Sequence, residues 1–327
     1  MKRLLKIVAV NLLILAAFLL IFEAGLRLFW RMSALKGSIY RVSSDKILRY
    51  ELKPDMNTVY DGKPVAINSA GFRGGEYKIS KDKDTFRVVL IGDSATFGRM
   101  LSFEDSIGER LRSALSSACP GRKVEVLNMG VEGYNSAQEL EVLKAKGLKY
   151  GPDLVVVYYC FNDPEEPEYY FEKNFINRNF RIAQYILYKA KKHAIKAEKK
   201  KKGIKSIEDN FRYLYSTEGW RIAKGAIMAM GDLTAAHGVK MVLLIVPEMS
   251  EPVKDFRDGY PFRYINNMLT AIRHDNITVI DPMEEFSRLN LNKADIAVWS
   301  YAGRQANDII AAYAIKKLQE NNFKLCE

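Results

Sequence analysis

The sequence predicts an α/β fold: a doubly wound sandwich on a five-stranded parallel sheet, preceded by an N-terminal transmembrane helix. Three observations carry this. Five short apolar runs are continuous rather than alternating, as strands buried on both faces require. Helical patterns separate those runs, which is the signature of strand–helix–strand crossovers. A longer apolar run stands at the N-terminus behind a basic start.

That first run extends from Ile7 to Phe22, broken only by Asn11, and follows Lys2, Arg3 and Lys6. Carried through to Trp30 it reaches 24 residues, and about 20 cross the hydrocarbon layer as a helix. Glu23 and Arg27 are four apart and can pair on one face near the interface, where the Trp30 ring is also suited. No small-x-small cleavage site or lipobox cysteine follows, so an uncleaved signal anchor is expected rather than a removed signal peptide. Arg27, Arg31 and Lys36 place positive charge beyond the span as well, so the charge bias barely sets orientation.

In the body of the chain the expected strands are Phe86–Ile91, Val124–Asn128, Leu154–Cys160, Val239–Val246 and Ile277–Ile280. The expected helices are 107–115, 137–148, 220–237, 264–274 and 303–318. The chain divides into an anchor and juxtamembrane segment (1–36), a lead-in packed on the rim (37–85) and the main domain (86–320). An insertion (164–219) interrupts the main domain.

The net charge of +11 invites a polyanionic partner, but the excess is local. Residues 181–205 hold ten Lys/Arg against the single Glu198, so Lys199–Lys202 reads as a solvated helix face or loop. Lipid or glycan contact is the lesser reading of that run, and no recognised nucleic-acid module accompanies it. Cys119, Cys160 and Cys326 have no metal-ligand spacing and are too few for a disulfide framework. A Cys119–Cys326 bridge is compatible with the sequence, and Cys160 reads as a buried small hydrophobe. No metal or cofactor is expected, and the sequence sets no oligomeric state.

In a doubly wound sheet, ligands bind beyond the carboxyl ends of the strands. The first strand runs into Gly92-Asp93-Ser94-Ala95-Thr96-Phe97-Gly98, a tight path that presents a serine at the sheet edge. The second runs into Asn128-Met129-Gly130-Val131-Glu132-Gly133, where glycines let backbone amides approach a ligand. The third ends at Cys160-Phe161-Asn162-Asp163, and a side-chain amide there can donate to developing negative charge. Taken singly, each reads equally well as a turn or a cap.

Taken in order, the three strand ends resemble the SGNH (GDSL) hydrolase family. With Asn68-Ser69-Ala70-Gly71-Phe72-Arg73 in the lead-in, the likeness is to its membrane-anchored bacterial envelope branch. The resemblance covers about residues 40–320 and implies a flavodoxin-like sandwich acting on acyl esters. It implies Ser94 as nucleophile, with the Ser94 and Gly133 amides and the Asn162 side chain as the oxyanion hole. It also implies the membrane as one partner and an acylated envelope polysaccharide or lipid as another, with the domain outside the cytoplasm.

The family's Asp-x-x-His block falls on Asp295 and, counting back from Gly303, on Val298: the acid is kept and the histidine is lost. A serine hydroxyl is a poor nucleophile without a neighbouring base, and losing a triad base removes several orders of magnitude of rate. His237 and His274 precede the fourth and fifth strands, which places them at the far end of the sheet from Ser94. His193 belongs to the basic insertion. The sequence therefore supports an impaired ester hydrolase or acyl transferase, with a catalytically silent acyl-glycan-binding or assembly protein as the alternative.

Overall fold

The computed structural model describes residues 2–34, 39–165, 181–250, 253–257, 259–321, 323 and 325. The chain divides into two compact units, 1–38 with 170–203, and 39–169 with 204–327.

The first unit contains α1 (Lys2–Ala34) and α5 (Arg181–Lys201), which pack on one another. Lys2–Gly25 is long and apolar enough to cross a membrane, and Leu4, Leu13, Phe18 and Ile21 are exposed, as lipid-facing side chains would be. Glu23 is buried; the side chain of Arg27, its expected partner, lies outside the described residues. On α5, Lys200 and Lys201 are exposed and Lys202 pairs with Glu198 at 2.9 Å, a solvated helix end.

The second unit is built on β5 (Thr85–Gly92), β6 (Lys123–Asn128), β7 (Leu154–Tyr159), β8 (Lys240–Ile245) and β9 (Ile277–Ile280). All pairings are parallel, in the order β6-β5-β7-β8-β9. This is the flavodoxin-like order, with the chain reversing direction across the sheet between β5 and β7. Every residue of β5 and β7 is buried, which explains their unbroken apolar character. Helix α3 (Ile107–Ala118) packs on α11 (Arg304–Glu320), and α4 (Ser136–Val142) on α7 (Glu218–Ala236). Right-handed crossovers on either side of the reversal put the two pairs on opposite faces.

Boundaries differ where side-chain periodicity outlasts the hydrogen bonding. The pattern expected as helix 137–148 is α4 followed by a π turn at Leu143–Gly147 and a 3-10 turn at Leu148–Tyr150. Helix α8 (Arg263–Thr270) ends before His274. The insertion contains α6 (Ile207–Leu214), which opens on a capping box between Ser206 and Asp209. Its aromatic stretch 166–180 lies outside the described residues.

The lead-in folds as two antiparallel pairs, β1 (Tyr40–Val42) with β2 (Tyr50–Leu52) and β3 (Met56–Tyr60) with β4 (Lys63–Ile67). Arg73 bridges both Ile67 and Asn128, so the lead-in joins the edge of the main sheet. Beyond β9, α9 (Met283–Arg288) and α10 (Lys293–Ile296) lead into a two-residue hairpin, β10 (Ala297–Val298) and β11 (Tyr301–Ala302). Cys119 is disulfide-bonded and Cys160 is a free, buried thiol; Cys326 lies outside the described residues.

Candidate active site

The three sequence motifs meet at the reversal point. Strand β5 ends at Gly92, where a Cβ would meet the Tyr158 carbonyl at 2.8 Å, so only glycine fits. Asp93 then caps the one-turn helix α2 (Ser94–Phe97): its carbonyl accepts from the Phe97 amide at 2.9 Å and its Oδ1 from the Ala95 amide at 2.9 Å. Ser94, the first residue of that turn, is 8% exposed.

A single turn of helix is not stable alone, and Arg73 holds this one. Its Nη1 donates to the carbonyls of Phe97 (2.6 Å) and Gly98 (2.7 Å), and its Nη2 to that of Leu101 (2.8 Å). Burial of this guanidinium pushes its pKa down to about 10. Asn68 shapes the preceding turn, accepting from the Ala70 and Phe72 amides and donating to the Gly75 carbonyl. The Asn-Ser-x-Gly-Phe-Arg stretch is thus a brace for the serine turn.

After β6, Asn128 donates to the Thr96 carbonyl (2.7 Å) and accepts from the Gly130 amide (3.0 Å). A Cβ on Gly130 would lie 2.7 Å from the Thr96 side chain and against the Phe97 amide, so the loop is laid directly on α2. The Tyr134 amide closes a turn onto the Val131 carbonyl at 3.1 Å, with Gly133 at φ +77°. Among the described residues, no carbonyl accepts the Gly133 amide.

After β7, the Cys160 thiol donates to Asp93 Oδ1 (3.0 Å) and one N–H of Asn162 to Asp93 Oδ2 (3.1 Å). The Ser94 hydroxyl donates to the same Oδ2 at 3.3 Å. With the Ala95 amide, the Asp93 carboxylate therefore receives four donors. An acceptor so fully engaged is a poor place to deliver the serine proton.

Ser94, Gly133 and Asn162 line one cavity of about 190 Å³, together with Arg99, Glu132, Tyr134, Asn135, Glu165 and Tyr301. Asp295 and Val298 do not line it. Asp295 is exposed on α10, and Val298 is paired with Tyr301 across the hairpin. The group that faces Ser94 across the cavity is the Tyr301 phenol, close enough for the serine to favour its ionised form. Burial nevertheless raises the phenol's pKa above its ordinary value, so it stays protonated at neutral pH.

No imidazole lines the cavity among the described residues. His237 is exposed and its Nδ1 contacts the Leu233 carbonyl at 2.8 Å, at the end of α7. His274 faces Asp232 at 3.0 Å ahead of β9. Both sit at the amino ends of strands parallel to β5, whereas Ser94 follows its carboxyl end. His193 is exposed on α5, in the first unit.

Several lining residues were not anticipated by the motifs. The Glu132 carboxylate accepts from the hydroxyls of Tyr40 (2.9 Å) and Tyr60 (2.7 Å) and pairs with Arg99, while its carbonyl accepts from Tyr50 (2.8 Å). Arg99 also holds Asp61 at 2.7 Å. Partial burial disfavours the Arg99 charge, but Asp61 and Glu132 outweigh it and raise its pKa. The lead-in thus clamps the Gly133 turn. Arg99 directly follows the first motif and Glu132 lies within the second, but Tyr40, Tyr60 and Asp61 adjoin none.

Two further acids, Glu139 and Asp163, are buried. Asp163 accepts from the Ser136 hydroxyl at 2.7 Å, while its other oxygen and both oxygens of Glu139 have no hydrogen-bond partner among the described residues. Burial first raises both pKa values well above their ordinary values; the charges of Asp163 and Asp93 add to the rise at Glu139, and that of Asp93 to the rise at Asp163.

No protein-family model matches the chain, and no curated protein matches it. Solved structures do. A protein of the G-D-S-L lipolytic family from Desulfitobacterium hafniense DCB-2 matches at 16% identity over 70% of this chain and 98% of that one, TM-score 0.40. A GDSL-like lipase from Bacteroides thetaiotaomicron matches at 15% identity over 72% and 88%, TM-score 0.39. The acetyl xylan esterase AlAXEase matches at 14% identity over 71% and 100%, TM-score 0.43. These are among the solved structures to which the chain is similar.

Proposed function

We propose that the cavity is an SGNH-type acyl-ester site whose serine lacks a competent base, making the protein a severely impaired ester hydrolase of the cell envelope. In this reading Ser94 occupies the nucleophile position, and the amides of Ser94 and Gly133 with the Asn162 side chain take the carbonyl oxygen. Val298 marks the lost histidine, and Asp295 is left without a partner to orient. The observation that carries the proposal is that residues 94, 133 and 162, from three different strand ends, line one cavity.

The lining also narrows the ligand. Arg99, Asn135, Asn162, Glu165 and Tyr301 are polar, and among the described residues no aliphatic side chain joins them. A short acyl group on a hydroxyl-rich alcohol, such as an envelope glycan, suits these walls better than a fatty acyl chain. The disulfide at Cys119 supports an oxidising compartment, and the apolar α1 supports a membrane tether with the domain outside the cytoplasm.

A second reading, ester binding without turnover, is favoured by the four donors on Asp93 and the protonated Tyr301. Turnover of p-nitrophenyl acetate by the full chain separates the two. Weak hydrolysis abolished by Ser94→Ala supports the hydrolase. Hydrolysis indifferent to that substitution, with the ester still bound, supports the binding protein.

A further inference from the structure

Trp299 stands at the tip of the β10–β11 hairpin, between the cross-strand partners Val298 and Tyr301. Its φ is +61°, a region that side-chain-bearing residues avoid. Six non-glycine residues among those described have such a φ, and Trp299 is the only aromatic one. With φ positive at the first central position of a two-residue hairpin, glycine is the favoured occupant. The indole is also 76% exposed, so packing does not explain it. A bulky side chain held in a disfavoured backbone region without burial directs attention to ligand contact.

Cavity size indicates which contact. At about 190 Å³ the cavity is smaller than the roughly 300 Å³ and above of pockets that enclose a whole small molecule. It holds an acyl group and the first atoms of its alcohol; the remainder must rest outside. Tyr301, which lines the cavity with Ser94, is two residues from Trp299, and the hairpin that carries the indole is therefore the same one that reaches the cavity.

We infer that Trp299 is a carbohydrate platform: a sugar ring of the acylated ligand lays its C–H face on the indole while its acyl group enters the cavity. This rests on the acyl-ester reading above and adds the ring subsite to it. The strain at the hairpin tip is the cost of presenting an indole where a turn prefers glycine.

The test compares two probes on the full chain: ethyl acetate, which fills only the cavity, and methyl 6-O-acetylglucoside, which adds the ring. Binding is followed by saturation-transfer NMR. The wild type is expected to bind the glucoside about five- to tenfold more tightly, the range of one aromatic contact. Trp299→Ala is expected to abolish that preference and leave ethyl acetate binding unchanged, and Trp299→Phe to keep part of it. Trp299→Gly is expected to lose the preference while melting at the same or a higher temperature, because the strain is relieved. A preference that survives in Trp299→Ala overturns the platform and leaves the acyl site standing. Wild-type protein that binds neither probe overturns both.

Discussion

Replacing Glu132 by Gln tests whether the lead-in holds the oxyanion turn in place. The substitution keeps one carbonyl oxygen, which can still accept from both Tyr40 and Tyr60 as Oε2 does, but it removes the negative charge that strengthens those bonds and turns an N–H toward Arg99. A hydrogen bond to a charged group contributes about 1.5–3 kcal/mol against about 0.5–1.5 kcal/mol for a neutral one, so neutralising the acceptor shared by the two tyrosines costs about 1.5 kcal/mol. Arg99 is 35% exposed and keeps Asp61, so loss of its second partner adds only about 1 kcal/mol. The sum, about 2.5 kcal/mol, corresponds to a fall of roughly 5–10 °C in Tm for a domain of this size. Asp61→Asn, which removes the other partner of Arg99 at a more exposed position, should cost under about 1 kcal/mol. Thermal and urea unfolding of the full chain measure both. A Glu132→Gln protein that melts within about 1 °C of wild type would falsify the clamp, since a buried acceptor serving three donors cannot be lost silently.

Three further outcomes follow from the same geometry. Val298 and Tyr301 are cross-strand partners with side chains on one face of the hairpin, so the phenol stands beside any imidazole placed at 298. Val298→His combined with Tyr301→Gly should raise p-nitrophenyl acetate turnover about 100-fold, the lower end for a general base, and more than Val298→His alone. A folded double variant with no gain in turnover contradicts the placement. Glu139 and Asp163 have raised pKa values in the folded protein, so the native state binds more protons than the unfolded chain above about pH 4. Stability should then fall as pH rises from about 4 toward their folded values, and Glu139→Gln should flatten that decline in urea titrations. Arg73→Gln should release α2 by withdrawing donors from three carbonyls, with a loss of about 3 kcal/mol or more on urea unfolding; an unchanged midpoint contradicts the brace.

The five core strands were legible because burial on both faces forces continuous apolar runs, and Val155 and Leu243 are fully buried as such runs require. Ser94, Gly133 and Asn162 were legible because each follows a strand, and a parallel sheet brings strand ends together. The clamp was not legible. Tyr40 and Tyr60 reach Glu132 across 92 and 72 residues, and no local pattern announces a contact of that range. Tyr301 escaped for a different reason. Counting in the Asp-x-x-His block points to Val298, but a two-residue turn brings Tyr301 to the cavity and leaves Asp295 exposed. The Asn68–Arg73 stretch was recognisable as a motif, yet its role as a brace for α2 appears only in the Arg73 hydrogen bonds.

Reactivity of the Ser94 hydroxyl toward a fluorophosphonate probe, followed by intact-protein mass spectrometry, tests the central claim most directly. A serine whose neighbours are a saturated carboxylate and a protonated phenol should form adduct no faster than a serine in an unstructured peptide. Rapid, stoichiometric labelling that maps to Ser94 and disappears in Ser94→Ala would mean that a working base reaches the hydroxyl, and the account of impaired catalysis would be wrong.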